Sequence, residues 1–243
     1  MKTITILSGK GGVGKTTVAV NLAYTFSERG FKVGLLDVDI HGPNVPKMLN
    51  LENKRLLTKD NKMIPMRAKD NLRVMSMAFL LKKSDAVIWR GPLKHKIIEQ
   101  FIKDVEWGEL DYLIIDFPPG TGDEAISISQ LIKDITGSVI VSTPQQVALD
   151  DVMKAIDFSG KVNMPIIGLI ENMAGDIFGK GGVEDLADAR GIDFLGSLEL
   201  DNKIRESGDK GEPFVRNNNL DLAKSFGNIV KKIESFCDKG VYR

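Results

Sequence analysis

One loop constrains this chain more than any other feature. Gly9 to Thr16 reads G-K-G-G-V-G-K-T, a full match to the pattern G-x-x-x-x-G-K-[ST]. An apolar run, TITIL from Thr3, precedes it, and a helical pattern follows from Thr16 to Arg29, stopping at Gly30. Glycines let backbone N–H groups converge on phosphate oxygens without Cβ clashes. The start of a helix adds the positive end of its dipole. The loop therefore asks for a strand–loop–helix unit built around a nucleotide phosphate. Gly9, Lys10, Gly11, Gly12, Val13 and Gly14 form the expected cradle. Lys15 is expected to reach the β- and γ-phosphates, Thr16 to ligate Mg²⁺ and Thr17 to touch the α-phosphate. Lys10 is a second lysine that phosphate cradling alone does not need.

The rest of the chain repeats the strand–helix rhythm. Short apolar runs occur at KVGLLDVD from Lys32, YLIIDF from Tyr112, SVIVST from Ser138 and PIIGLIEN from Pro165. They are apolar on consecutive positions, as strands covered on both faces must be. Helical patterns at Glu124 to Ile135 and Ala148 to Ser159 lie between some of them. The expected fold is α/β, a doubly wound, mostly parallel sheet flanked by helices. Residues 1–243 are expected to form a single domain around this phosphate loop, since 243 residues suffice for one large core. Asn50 to Asp70, polar and lysine-rich, reads as an excursion from the sheet, and Asn71 to Leu81 as another strand. LAKSFGNIVKKIESF places Leu222, Phe226, Ile229, Ile233 and Phe236 on one face of a closing helix that packs on the body.

Charge narrows the partners. Lys+Arg and Asp+Glu both number 33, so no global basic field favours nucleic acid, and none is expected as a partner. No apolar run approaches the roughly 20 residues that span a bilayer, so stable membrane insertion is not expected. MKTITIL meets the glycine loop too soon for a signal peptide, and one cysteine, Cys237, permits no disulfide within the chain. A cytoplasmic location is expected.

Two further segments place acids at strand ends. LLDVDIHGPN carries Asp37 and Asp39, of which one is expected to serve the nucleotide while the other braces the loop. DYLIIDFPPGTGD ends an apolar run at Asp116, the pattern of a carboxylate that holds Mg²⁺ through a water. Its Pro118, Pro119, Gly120, Thr121 and Gly122 can continue neither helix nor strand. That loop suits a switch in which Gly120 senses the γ-phosphate. All these groups are expected at the carboxyl ends of the strands, where such sheets bind ligands.

K-G-G-V-G-K-T-T resembles the deviant phosphate loop of the MinD, ParA, nitrogenase-iron-protein and Mrp group of P-loop ATPases. DVDIHGPNVPKML, WRGPLKHKIIEQFIKDVEWGELDYLIIDFPPGTGDE and DFLGSLELDNKIRESGDKGEP resemble the Mrp family more narrowly, which includes the ApbC-type proteins; the likeness runs from about Thr3 to about Val215. The resemblance implies one antiparallel edge strand, a homodimer around two ATP molecules, and slow, Mg²⁺-dependent ATP hydrolysis. It implies that Lys10 crosses to the partner's nucleotide, that Asp39 positions the attacking water and serves the metal site with Thr16 and Asp116, and that Asn172, in ENM, hydrogen-bonds adenine. A second cation at the γ-phosphate would offset charge on the transferring group. Adenine over guanine also rests on the resemblance, with N-K-x-D absent. Arg90, in WRGP, either binds a charge near the switch or braces the fold.

The chain departs from Mrp proteins in one place. That family is associated with iron–sulfur clusters held by a C-x-x-C pair from each subunit, between ENM and FG-GG. Here only Ala174 to Ile177 separate Met173 from Phe178. A [4Fe–4S] cluster is normally held by four thiolates, and a homodimer of this chain offers two. A cluster is therefore not expected on the usual site, and Cys237 reads as a packing residue. Three functions follow: an Mrp-type ATPase in iron–sulfur assembly or delivery, meeting assembly or target proteins; a MinD- or ParA-like spatial switch on membrane or DNA; and an ATP-gated protein-binding regulator without metal cargo.

Overall fold

The computed structural model describes residues 1–52, 54–80, 91–217 and 221–239; Arg90 lies outside them. Strand β1 (Lys2–Leu7) is buried beyond its first residue and leads through the glycine loop into α1 (Lys15–Glu28). β2 (Val33–Asp37) follows, then the short α2 (Val45–Met48). β3 (Leu57–Lys59), β4 (Lys62–Ile64), β5 (Met66–Lys69) and β6 (Leu72–Ser76) come next, ending in a 3₁₀ turn at Met77–Phe79. The order continues α3 (Gly91–Lys103), β7 (Tyr112–Asp116), α4 (Asp123–Leu131), β8 (Ile135–Ser142), α5 (Gln146–Lys161), β9 (Ile166–Ala174), α6 (Gly182–Arg190), β10 (Phe194–Glu199), α7 (Asn202–Lys210) and α8 (Asp221–Lys239).

Eight strands form the main sheet in the order β10-β9-β8-β1-β7-β2-β6-β5. Every neighbour pair is parallel except β5 with β6. The expected antiparallel edge is therefore β5. Strand order reverses around β1, and the glycine loop follows β1 directly. That places it in the crevice where such sheets bind ligands.

Alternating side chains divide the core. Ile4, Ile6, Leu35 and Ile114 face a cluster closed by Val18, Leu22 and Phe26 of α1 and by Phe226, Ile229 and Ile233 of α8. Leu7, Leu36, Leu113 and Ile115 face a second cluster with Phe101, Ile128, Val152 and Val183 from α3 to α6. Burying one such side chain contributes about 1.5–3 kcal/mol. Phe26 stacks on Tyr112 with ring centroids 4.1 Å apart. The apolar face of α8 is thus spent on the body, with Cys237 buried and Leu222 and Phe236 packed at its margin. No described helix is long and apolar enough to cross a membrane.

Three expectations are revised. Asn50 to Asp70 leaves the sheet only in part: β3 and β4 form a two-stranded sheet of their own, bridged from Met63 to Val105, but β5 joins the main sheet. β6 ends at Ser76, short of the strand expected to Leu81. α4 stops at Leu131 and Asp134 takes φ 56°, so Ile135 already belongs to β8.

Candidate functional site

The loop from Ser8 to Gly14 owes its path to its glycines. Gly12 and Gly14 have φ of 80° and 88°, in the left-handed region that side chains resist. A Cβ on Gly14 would stand 2.1 Å from Asn172 Nδ2, and one on Gly9 2.0 Å from the Asp151 carbonyl oxygen. No side chain caps α1. Its first-turn N–H groups lack partners within the helix, and Lys15, Thr16 and Thr17 stand beside a cavity of about 670 Å³.

The cavity brings together Lys10, Gly11, Gly12, Gly14, Lys15, Thr16, Thr17, Asp39 and Asn172. Gly9, Val13, Asp116 and Gly120 do not line it themselves but adjoin lining residues in sequence or, for Asp116, through Lys15 and Thr16. Lys15 Nζ donates to Asp116 Oδ1 at 2.6 Å, and Thr16 Oγ1 to Asp116 Oδ2 at 2.7 Å. Burial pushes the Asp116 carboxyl up, opposed by Lys15 and Thr16. Lys10 is half-buried and forms no ion pair among the described residues.

Residues two apart on a strand share a face. Asp37 and Asp39 differ in surroundings because β2 ends at Asp37. Asp37 is sealed from solvent, accepts from Ser76 Oγ at 2.7 Å, and is pushed up to about 8 by burial and by the Asp116 charge. Asp39 reaches the cavity, yet its Oδ1 also accepts from the N–H groups of His41 and Gly42 at 3.0 and 3.2 Å. One residue thus both faces the site and braces the loop.

Two predicted groups are already engaged. Gly120 N–H donates to the Ser8 carbonyl at 3.0 Å, so sensing a phosphate requires that bond to open. Asn172 Nδ2 donates to the Val13 carbonyl at 2.8 Å, which leaves its Oδ1 and a second N–H.

The far half of the cavity was not anticipated. Met48, Met173, Leu200 and Ile204 supply apolar wall there, with Arg205, Gly208 and Asp209. Asp201 caps α7 by accepting from Lys203 N–H at 2.7 Å. Positions 201, 204, 205, 208 and 209 share one face of that helix. The spacing was present in LELDNKIRESGDKG, but only a phosphate loop draws attention by itself.

The donor set fits a phosphate-bound Mg²⁺. No group of three or more acids, histidines or cysteines among the described residues could hold a metal alone. Mg²⁺ on substrate phosphates needs only one or two protein ligands and waters. Ser8 lines the cavity, and its buried Oγ has no hydrogen-bond partner among the described residues.

The family described as the NUBPL iron-transfer P-loop NTPase, of ParA type, matches residues 1–234. The chain belongs to this family. An iron-sulfur cluster carrier protein of Methanocaldococcus jannaschii is 51% identical over 243 aligned residues, covering 95% of this chain and 83% of the relative. A cytosolic Fe-S cluster assembly factor NUBP2 homolog of Trichoplax adhaerens is 49% identical over 227, covering 87% and 86%. Among solved structures, a nucleotide-binding protein from Archaeoglobus fulgidus in complex with ADP superposes with a TM-score of 0.78 at 35% identity, covering 93% and 91%. The septum site-determining protein MinD of Pyrococcus horikoshii, with Mg-ADP, gives 0.79 at 25%, covering 100% and 99%. As an iron-transfer-type P-loop NTPase, the chain carries its nucleotide loop in the position the topology dictates. Between ENM and FG-GG, where the resemblance implies a C-x-x-C pair in Mrp proteins, it has a tight hairpin: Gly175 and Gly179 exchange N–H···O bonds of 2.8 and 2.7 Å.

Proposed function

We propose that residues 1–243 are one ATPase domain that hydrolyses ATP to ADP and phosphate as a homodimer, and that serves iron–sulfur assembly as a switch without a C-x-x-C cargo site. The observation that carries this reading is the pair of lysines at one cavity. Lys15 is buried against Asp116, whereas Lys10 stands at the cavity with no ion pair among the described residues. A cation with no ion-pair partner among the described residues is available to a phosphate across a subunit boundary.

Lys15 and the first-turn N–H groups bind the phosphates. Asp39, through its second oxygen, orients the attacking water. Thr16 and Asp116 would hold Mg²⁺, which supplies charge neutralisation across the β- and γ-phosphates when bound. Asn172 Oδ1 is placed to accept from an adenine amine.

Support for a missing cargo site comes from the Gly175–Gly179 hairpin and from the burial of Cys237. The curated relatives are named as carriers or assembly factors, which favours the iron–sulfur setting over spatial partitioning. The buried apolar face of α8 also argues against a membrane-surface role.

ATP turnover and ATP-dependent dimerisation, measured for wild type, Lys10→Ala and Lys15→Ala, test the proposal. Lys15→Ala should lose nucleotide binding. Lys10→Ala should bind nucleotide but neither dimerise nor turn over. Wild-type turnover by Lys10→Ala would refute the cross-subunit role.

A further inference from the structure

The segment between Lys54 and Arg67 carries five cations: Lys54, Arg55, Lys59, Lys62 and Arg67. All five are exposed, and none forms an ion pair among the described residues. By contrast Lys103, Arg205 and Arg216 each pair with an acid four residues away. The net charge of the whole chain is zero, so this is a local concentration.

The hairpin geometry concentrates it further. Asp60 and Asn61 have φ of 49° and 61°, which makes a two-residue type I′ turn. Lys59 therefore stands directly opposite Lys62, Thr58 opposite Met63, and Leu57 opposite Ile64. Like charges placed directly across a strand pair repel, and no acid among the described residues pairs with either. Leu57 shares their face and is 64% exposed, while Met63 is buried on the other.

Among the described residues β3 pairs only with β4, which leaves its outer edge open there. The pair flanking a two-residue turn is the hydrogen-bonded one. Thr58 must then turn its N–H and C=O away from β4. An open edge gives backbone pairing, and the side chains beside it set which strand is accepted.

We propose that the outer edge of β3 is a docking strip for an extended acidic segment of a partner protein, which adds as a third strand. Leu57 receives an apolar residue of that segment, and Lys59 and Lys62 receive its carboxylates. A second copy of this edge is excluded, because two basic edges repel. Single-stranded nucleic acid is disfavoured, because non-specific binders of it use aromatic stacking platforms and residues 50–70 contain no aromatic.

The probe is a fluorescein-labelled peptide of about ten residues in which every second position, along one strand face, is Val or Glu and the positions between are Thr, titrated with the full chain. The same peptide with Lys for Glu, and a labelled single-stranded oligonucleotide, are run beside it. The acidic peptide should bind, and salt should weaken it. Lys59→Glu with Lys62→Glu should weaken it about tenfold or more. Thr58→Pro, which removes only an outward N–H, should do likewise with every charge intact. Far-UV circular dichroism checks both variants, and the charge reversal stands alone should the proline variant not fold. Equal binding of the acidic and basic peptides, tighter binding of the oligonucleotide, or a folded Thr58→Pro chain with undiminished affinity would each overturn the proposal.

Discussion

Lys15 Nζ lies 2.6 Å from Asp116 Oδ1, with the two side chains 6% and 0% exposed. Removing either partner takes away the counter-charge bonded to the other, but the two losses are unequal. Without Lys15, the Asp116 carboxyl can take up a proton, in the direction its burial already pushes it. Without Asp116, the Lys15 ammonium loses the carboxylate it donates to at the cavity wall. Asp116→Ala is therefore expected to cost about 3–5 kcal/mol, and Lys15→Ala clearly less. Urea unfolding of the nucleotide-free protein at neutral pH checks this; equal losses would show that the pair is hydrated in solution.

Gly14 couples the loop to β9. Its φ of 88° alone costs a side chain about 1–3 kcal/mol, and a Cβ would also meet Asn172 Nδ2 at 2.1 Å. At Gly11 the same methyl group would meet only Pro119 Cβ at 3.8 Å. Gly14→Ala should destabilise the protein, and Gly11→Ala should change stability by less than about 0.5 kcal/mol. Asn172→Ala should make Gly14→Ala cheaper, since it removes the clash but not the strain. A double-mutant cycle measures that coupling.

The cradle was legible because its chemistry is local: residues nine to sixteen carry their own strand end, turn and helix start. Asp116 was legible because YLIID is buried on both faces and then breaks at Pro118. β5 was not, since MRAK is a polar edge strand without an apolar run. β10 was not either: FLGSLE interrupts its apolar residues with Gly196 and Ser197. Gly196 meets Ile229 of α8 closely, so tertiary packing makes that strand. The same holds for the far cavity wall, which exists only because α7 returns over α2. Asp37 and Asp39 could be nominated from sequence, but the end of β2 between them decides which one reaches the cavity.

Glu171 ties three elements together. Its carboxylate, on β9, accepts from Gly181 and Val183 N–H at the start of α6, at 3.0 and 3.1 Å, and from Ser197 Oγ on β10 at 3.1 Å. Glu171→Ala orphans two backbone donors, the Val183 N–H buried and the Gly181 N–H half-buried, and should cost about 2–4 kcal/mol. For a chain of this size, that lowers Tm by roughly 4–16 °C. Glu171→Gln retains one acceptor and should fall between. Thermal unfolding followed by circular dichroism reads both; a Gln variant as damaged as Ala would show that charge rather than acceptor geometry holds the junction.

Cys237 gives the last test. Burial pushes its thiol from 9.0 to about 11. Its folded pKa thus exceeds its unfolded one, so it binds its proton more tightly when folded. The stability it contributes is complete below the unfolded value, is lost as pH rises through about 11, and is absent above it. The native thiol should react slowly with an aromatic disulfide reagent at pH near 8, and fast once urea unfolds the chain. A buried, protonated thiol is a poor metal ligand, because ligation needs the thiolate. Anaerobic reconstitution with iron and sulfide should therefore leave wild type and Cys237→Ser equally free of cluster. Cluster bound by wild type alone would mean that the last helix opens to present Cys237. In that case the rapid native thiol reaction would appear with it, and the reading of this chain as a switch without cargo would be wrong.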